Sequence, residues 1–285
     1  MCVSCFKPRR TIVVGHYQFI ADMNKYKQQV IADFNARTDY DKDFRYRFAA
    51  PLVELAQLQT GQHVLDVATG TGIVAIAAAI IVGDDGKVVG VDISSGMLAQ
   101  AQRKVEAADL QNVELIIADA DYLNFPDNSF DRILCSSAIA YLTNIPASLR
   151  QWYRFLKPGG IVAFSCLAET AITASILFRS KAQTYGITIP NPNEILGTPE
   201  KCQNLLTEAG FQDIETVTKQ FGGYFTTAQH AWQANANNAF GSQVFQLAPD
   251  KLEQLKAEYI AEVETLATFP EFGNDFIGFF VLAHK

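Results

Sequence analysis

The stretch Gly70-Thr71-Gly72-Ile73-Val74-Ala75 reads G-x-G-x-x-A, the turn that brings a backbone close to a nucleotide at the start of a helix. Acids surround it. Asp66 stands four residues before Gly70, Asp92 twenty residues after Gly72, and Asp119 closes a third apolar run. If the three runs are strands of one sheet, their ends put three carboxylates on one cleft. A dinucleotide pyrophosphate on this turn would meet Asp66, whereas a helix N-terminus serves that group best without an acid beside it. A ligand with cationic centres suits the same wall.

Asp92 sits where a carboxylate accepts hydrogen bonds from ribose hydroxyls, a position that NAD enzymes also use and that therefore does not discriminate. Asp119 and the N–H of Ala120 are placed for an adenine edge. S-adenosylmethionine, with a sulfonium and an ammonium against one carboxylate, fits this set better than NAD does.

These side chains need a scaffold that delivers them to one edge. From His63 onward, short β-branched runs (63–68, 87–93, 113–119, 130–137 and 160–167) alternate with helical patterns at 73–82, 96–108 and 146–156. That alternation predicts βαβ units and an α/β fold with a doubly wound, mostly parallel sheet. The run from Ile73 reads as a buried helix, and Lys157-Pro158-Gly159-Gly160 as a helix stop. Further helices are expected at about 169–185 and 199–209, then strands in DIETVTKQF and FIGFFVLAHK, which gives a seven-stranded sheet. Residues 17–58 read as a helical cap, 59–221 as the core, 222–274 as a substrate-lid insertion with helices at 226–240 and 249–267, and 275–285 as the last strand. All belong to a single domain, 1–285.

The formal charge of −7 leaves no basic footprint for nucleic acid. No apolar run reaches the roughly 20 residues of a membrane span. The N-terminus lacks the pattern of a secretory signal and the five cysteines form no framework, so a cytoplasmic protein with free thiols is expected. Cys2 and Cys5 form a C-x-x-C without a second ligand pair, and no metal is expected.

The strings VLDVATGTG, VDIS, DADYLNFPDNSFD and LKPGG, in this order and spacing, resemble the signature segments of class I S-adenosylmethionine-dependent methyltransferases, near the ubiquinone and menaquinone C-methyltransferase type. The likeness covers roughly residues 38–168. It implies a Rossmann-like fold and S-adenosylmethionine as cofactor, with S-adenosylhomocysteine as product. It further implies that Asp66, Ala68, Gly70 and Gly72 hold the methionine part, Asp92 with Ile93 and Met97 the ribose side, and Asp119 with Ala120 the adenine. Ser136, at the end of the fourth strand, joins this set. Asp39-Tyr40-Asp41 resembles the tyrosine motif that covers the cofactor, which implicates Tyr40. A histidine pair that follows the fourth strand in many relatives is replaced here by Ala140-Tyr141.

Methyl transfer to an oxygen, nitrogen or carbon nucleophile of a small, mainly apolar molecule, natural-product or quinone-like, is the expected reaction. Displacement at a sulfonium needs alignment and exclusion of water, and a base only where the nucleophile is protonated. Of four histidines, His16, His63 and His284 read as structural or solvent-facing. His230, near Tyr224, Phe225 and Trp232, is the candidate base, and Tyr141 a candidate substrate contact. Tyr17, Phe19, Tyr40, Phe225 and Trp232 are expected to wall an apolar pocket. Two alternatives stay open: an NAD-dependent oxidoreductase, and a methyltransferase-like fold that catalyses a cyclisation or rearrangement. Oligomeric state is not readable.

Overall fold

The computed structural model describes residues 13–14, 25–38, 40–41, 43–222, 225–266 and 276–285. His16, Tyr17, Phe19, Asp39, Tyr224, Cys2 and Cys5 therefore lie outside the described residues.

The strands are β1 (Val13–Val14), β2 (His63–Val67), β3 (Lys87–Asp92), β4 (Val113–Ile117), β5 (Phe130–Ser136), β6 (Leu156–Leu167), β7 (Gln212–Phe221) and β8 (Phe276–His284). They form one sheet in the order β1-β4-β3-β2-β5-β6-β8-β7. Every pairing from β1 to β6 is parallel, and β8 runs antiparallel between β6 and β7. The expected seven strands are present. The eighth, β1, is a two-residue edge pair on Ile116 and Ile117, too short to register as a pattern.

Asp66 pairs with Gly90 and Asp92 with Ile117, so the carboxyl ends of β2, β3 and β4 lie side by side. Strand order reverses between β2 and β5, and ligands of open α/β sheets bind in the crevice at such a switch point. Helices α1 (Lys25–Asn35) and α2 (Asp43–Leu55) precede the sheet proper; α3 (Ile73–Val82), α4 (Ser95–Ala107), α5 (Ile145–Phe155), α6 (Thr173–Thr184) and α7 (Pro199–Glu208) connect it. Between β7 and β8 come α8 (Ala228–Ala236), a short 3-10 turn (Ser242–Gln246) and α9 (Pro249–Leu266).

Local chemistry explains the starts. Ser94 accepts the Met97 N–H at 3.1 Å to cap α4, and Asn144 does the same for Ala147 at the head of α5, where Pro146 occupies the first turn. On α5, Ile145, Leu149, Trp152 and Phe155 are buried, the i, i+4, i+7 stripe of a helix on a sheet. Helix α3 departs from the expectation of a buried helix: Val74, Ala75, Ala78 and Val82 face the sheet, while Ile80 is 64% exposed. A helix in an outer layer covers the sheet with one face only, so an all-apolar sequence leaves isoleucines outside.

The insertion packs onto α6. Trp232, Phe178 and Tyr259 stack with ring centroids 5.5–5.7 Å apart, and the Tyr259 hydroxyl donates to the Ala174 carbonyl at 3.0 Å. The Trp232 ring is thus core between α6 and α9. It does not line the cavity described next, contrary to the expected pocket wall, because α9 covers it.

Candidate functional site

The turn after β2 is built from left-handed residues. Ala68, Gly70 and Gly72 have φ of 54°, 57° and 78°, and the Gly72 N–H donates to the Thr69 carbonyl at 2.9 Å. Glycine adopts this conformation freely, while Ala68 pays about 1 kcal/mol for it. The curl points the Thr69 hydroxyl back to Asp66 at 2.5 Å. Room for that side chain comes from β3: a Cβ on Gly90 would meet the Thr69 side chain at 3.1 Å and Leu115 at 2.9 Å.

Asp66 and Asp92 are both almost fully buried. Burial pushes the Asp66 carboxyl up to about 7, against the Thr69 hydroxyl and the Ala75 N–H, with the Asp92 charge raising it further. Burial likewise lifts Asp92 to about 6. Asp92 accepts the Gly70 N–H on one oxygen and the Ser94 N–H on the other, each at 2.8 Å, which fixes the carboxylate against the glycine turn. Both carboxyls are held well above the ordinary carboxylate range by burial, Asp66 close to neutrality, so a cation beside them would favour their ionised forms.

Asp119 is also buried, but it has a cation. Lys27 of α1 reaches Asp119 at 2.9 Å and Asp121 at 2.6 Å. Burial would raise Asp121, yet Lys27 and the N–H and hydroxyl of Thr143 hold it below the ordinary carboxylate range. Asp119 also accepts the Asp121 N–H, and Lys27 ties the cap helix to the end of β4.

A second tie runs through the segment after α1. Asp41 accepts the Thr71 hydroxyl and pairs with Lys104 of α4 at 2.6 Å, clamping the glycine turn from above. Asn35 accepts the Ser94 hydroxyl and the Gly96 N–H, both at 2.8 Å. Beside them, the Arg45 guanidinium lies 4.3 Å above the Tyr40 ring.

These elements enclose a cavity of about 750 Å³ at the switch point, within the 300–1,000 Å³ usual for small-molecule sites. Of the site residues expected from sequence, Tyr40, Ala68, Gly70, Asp92, Ile93, Asp119, Ala120, Ser136, Tyr141 and His230 line it. Asp66 lines a small adjoining recess, with Tyr40, Arg45, Gly70 and Ser136 common to both or bridging them. Gly72 and Met97 line neither. Gly72 lies against Ala101, 3.1 Å from the place of a Cβ, so it lets α3 and α4 approach. Met97 is 1% exposed, a core residue of α4.

The cap and the insertion meet over the cavity through aromatic rings. Tyr141 packs against Phe34 of α1 at 5.4 Å and against Phe240 of the insertion at 5.3 Å, and Tyr26 touches Phe240 at 5.6 Å. Phe225 and His230 pack edge to face at 5.6 Å, and Thr226 stands 3.3 Å from His230 Nδ1. His230 itself is exposed, at the rim of the cavity. His63 and His284 sit on strands away from it. Sequence reading missed Lys27, Arg45 and Phe240, which belong to no spaced motif, and took Asp41 only as a neighbour of Tyr40 in its motif, without a role of its own. Among the described residues, no group of three or more His, Cys, Asp or Glu could hold a metal, and no helix is long and apolar enough to cross a membrane.

Residues 64–160 match the methyltransferase domain family. The demethylmenaquinone methyltransferase of Symbiobacterium thermophilum is 43% identical over 116 residues, which are 40% of this chain and 45% of that protein. The ubiquinone/menaquinone biosynthesis C-methyltransferase of Coxiella burnetii is 42% identical over 107 residues, 37% of this chain and 43% of that protein. The chain thus spans less than half the length of these curated relatives. A SAM-dependent methyltransferase from Aquifex aeolicus superposes with a TM-score of 0.52 over 86% of this chain and 94% of its own, at 18% identity, a likeness of fold.

Proposed function

We propose that this chain is a class I S-adenosylmethionine-dependent methyltransferase of the quinone-methyltransferase type, a reading supported by the match over residues 64–160 and by the two quinone-methyltransferase relatives, and that it transfers a methyl group to a nucleophile of a small, mainly apolar molecule. The observation that carries the reading is the set of three buried carboxylates, Asp66, Asp92 and Asp119, at adjacent strand ends around a left-handed glycine turn. S-adenosylmethionine, when bound, supplies an electrophilic methyl group on a sulfonium, and loss of the methyl leaves S-adenosylhomocysteine.

The residues divide the work. Asp66 and Asp92 favour a cation by their elevated pKa values, because ionising them without one is costly. Asp92 has its oxygens anchored by the Gly70 and Ser94 N–H groups and presents its remaining lone pairs to ribose hydroxyls. Asp119 and Ala120 face an adenine edge. Arg45, against both the cavity and the recess beside the glycine turn, takes the carboxylate of the methionine part, and Tyr40 lies over it. Tyr141, Phe34 and Phe240 close the acceptor end and exclude water, which such a displacement requires. His230, at the rim, removes a proton from a protonated nucleophile.

The test uses the purified chain with methyl-labelled S-adenosylmethionine and a panel of phenols and reduced quinones, with S-adenosylhomocysteine formation as readout. Labelled product is expected, with turnover lowered in His230→Ala and Tyr141→Phe. Unchanged turnover in both variants removes those two roles, and failure to bind S-adenosylhomocysteine at all removes the reading.

A further inference from the structure

The cavity holds one charged group for which this division of work has no use. Its lining includes the cations Lys27, Arg37, Arg45 and Arg179 and the carboxylates Asp33, Asp92 and Asp119. Lys27 is taken by Asp119 and Asp121, Arg37 by Asp33 at 2.8 Å, and Arg45 lies on Tyr40 beside the glycine turn. Asp92 is satisfied by backbone N–H groups. Arg179 of α6 is left without an ion pair or hydrogen bond among the described residues. Burial draws its pKa below the ordinary value, and no neighbouring carboxylate opposes the shift.

Arg179 is carried by a different part of the sheet from the carboxylates at the glycine turn. Helix α6 follows β6, which lies beyond β2 and β5 from β3 in the sheet order. Three strand spacings put the roots of β3 and β6 about 14 Å apart. On α6, Ser175 lines the cavity one turn before Arg179, and the same cavity is lined by Ile172, Ile189 and Pro190 and by amides such as Asn193 and Gln233, with no carboxylate from the described residues of α6 or the insertion. Holding a partly desolvated guanidinium in such a setting without a partner is costly, and its five donors form a planar fork that matches an oxyanion in two parallel hydrogen bonds.

We infer that the methyl acceptor carries an oxyanion, a carboxylate or a phosphate, which docks on Arg179 with Ser175 beside it, while its apolar body fills the space toward Tyr141. This inference rests on the reading of the cavity as a methyl-transfer site. It narrows the acceptor from any small apolar molecule to an amphipathic acid and sets its direction, anionic end toward α6 and nucleophile toward the glycine turn.

The experiment is a thermal-shift and calorimetric comparison on protein saturated with S-adenosylhomocysteine. The probes are benzoate, phenylacetate and 3-phenylpropionate, their methyl esters, and phenyl phosphate. At least one anion is expected to bind tenfold or more tightly than its neutral counterpart. That preference disappears in Arg179→Met and persists in weaker form in Arg179→Lys, with S-adenosylhomocysteine affinity unchanged in both variants as proof of folding. Response to the carboxylates alone, or to phenyl phosphate alone, identifies the oxyanion. Equal binding of acids and esters, no binding of either anion class, or a preference that survives Arg179→Met overturns the inference. Failure of wild type to bind S-adenosylhomocysteine instead strikes at the methyl-transfer reading itself.

Discussion

Asp66 and Asp92 make ligand binding depend on pH, with a sign and a size that follow from their surroundings. Burial raises the first to about 7 and the second to about 6, so in the ligand-free protein the ionised pair becomes scarce as pH falls. At pH 7 roughly half of Asp66 and nine-tenths of Asp92 are ionised; at pH 5 the fractions are about one in a hundred and one in ten. A ligand that needs both carboxylates ionised, Asp66 for its ammonium and Asp92 for its ribose hydroxyls, therefore loses about 500-fold in affinity over this window, on the order of 4 kcal/mol. Isothermal titration with S-adenosylhomocysteine between pH 5 and 7 measures it. In Asp66→Asn the slope should shrink to the roughly tenfold that belongs to Asp92. The same groups act oppositely on the free protein. Their folded pKa values lie above the unfolded ones, so the stability they contribute is fully present below about pH 4 and is lost as pH rises through 6 to 7. Asp66→Asn should consequently raise the melting temperature of the ligand-free protein at pH 8 while weakening the ligand. Affinity that stays flat from pH 5 to 7, or a wild-type slope in Asp66→Asn, would refute the assignment of these carboxylates to a cationic ligand.

Two other variants probe the same site from different sides. Arg45→Met should weaken S-adenosylhomocysteine about tenfold or more yet leave 5′-methylthioadenosine, which lacks the amino-acid carboxylate, within twofold; equal losses for both ligands would remove Arg45 from the carboxylate. Lys27→Met leaves Asp119 and Asp121 without their shared cation and should cost about 3–5 kcal/mol in urea denaturation, with partial recovery in the Lys27→Met/Asp121→Asn double variant.

The segment before the sheet is fastened to the site by polar ties. Lys27, Asn35 and Asp41 fasten it to the ends of β4, the head of α4 and the glycine turn. Tyr141 stands between Phe34 of α1 and Phe240 of the insertion, so its ring joins the two segments over the cavity.

The sequence by itself determined the β-α alternation, the glycine turn and the acids at 66, 92 and 119, because strands buried on both faces read as continuous apolar runs and a left-handed turn demands glycines. Those are local or periodic requirements, and they leave local marks. Tertiary structure alone decided that Gly72 and Met97 serve helix packing, that Trp232 belongs to the core under α9, and that Lys27 neutralises Asp119 across 92 residues of chain. It also decided that Arg37 pairs with Asp33 while Arg179 lines the cavity without an ion pair among the described residues. Pairing of charges and closure of a cavity depend on distances between segments remote in sequence, and neither composition nor spacing records a distance.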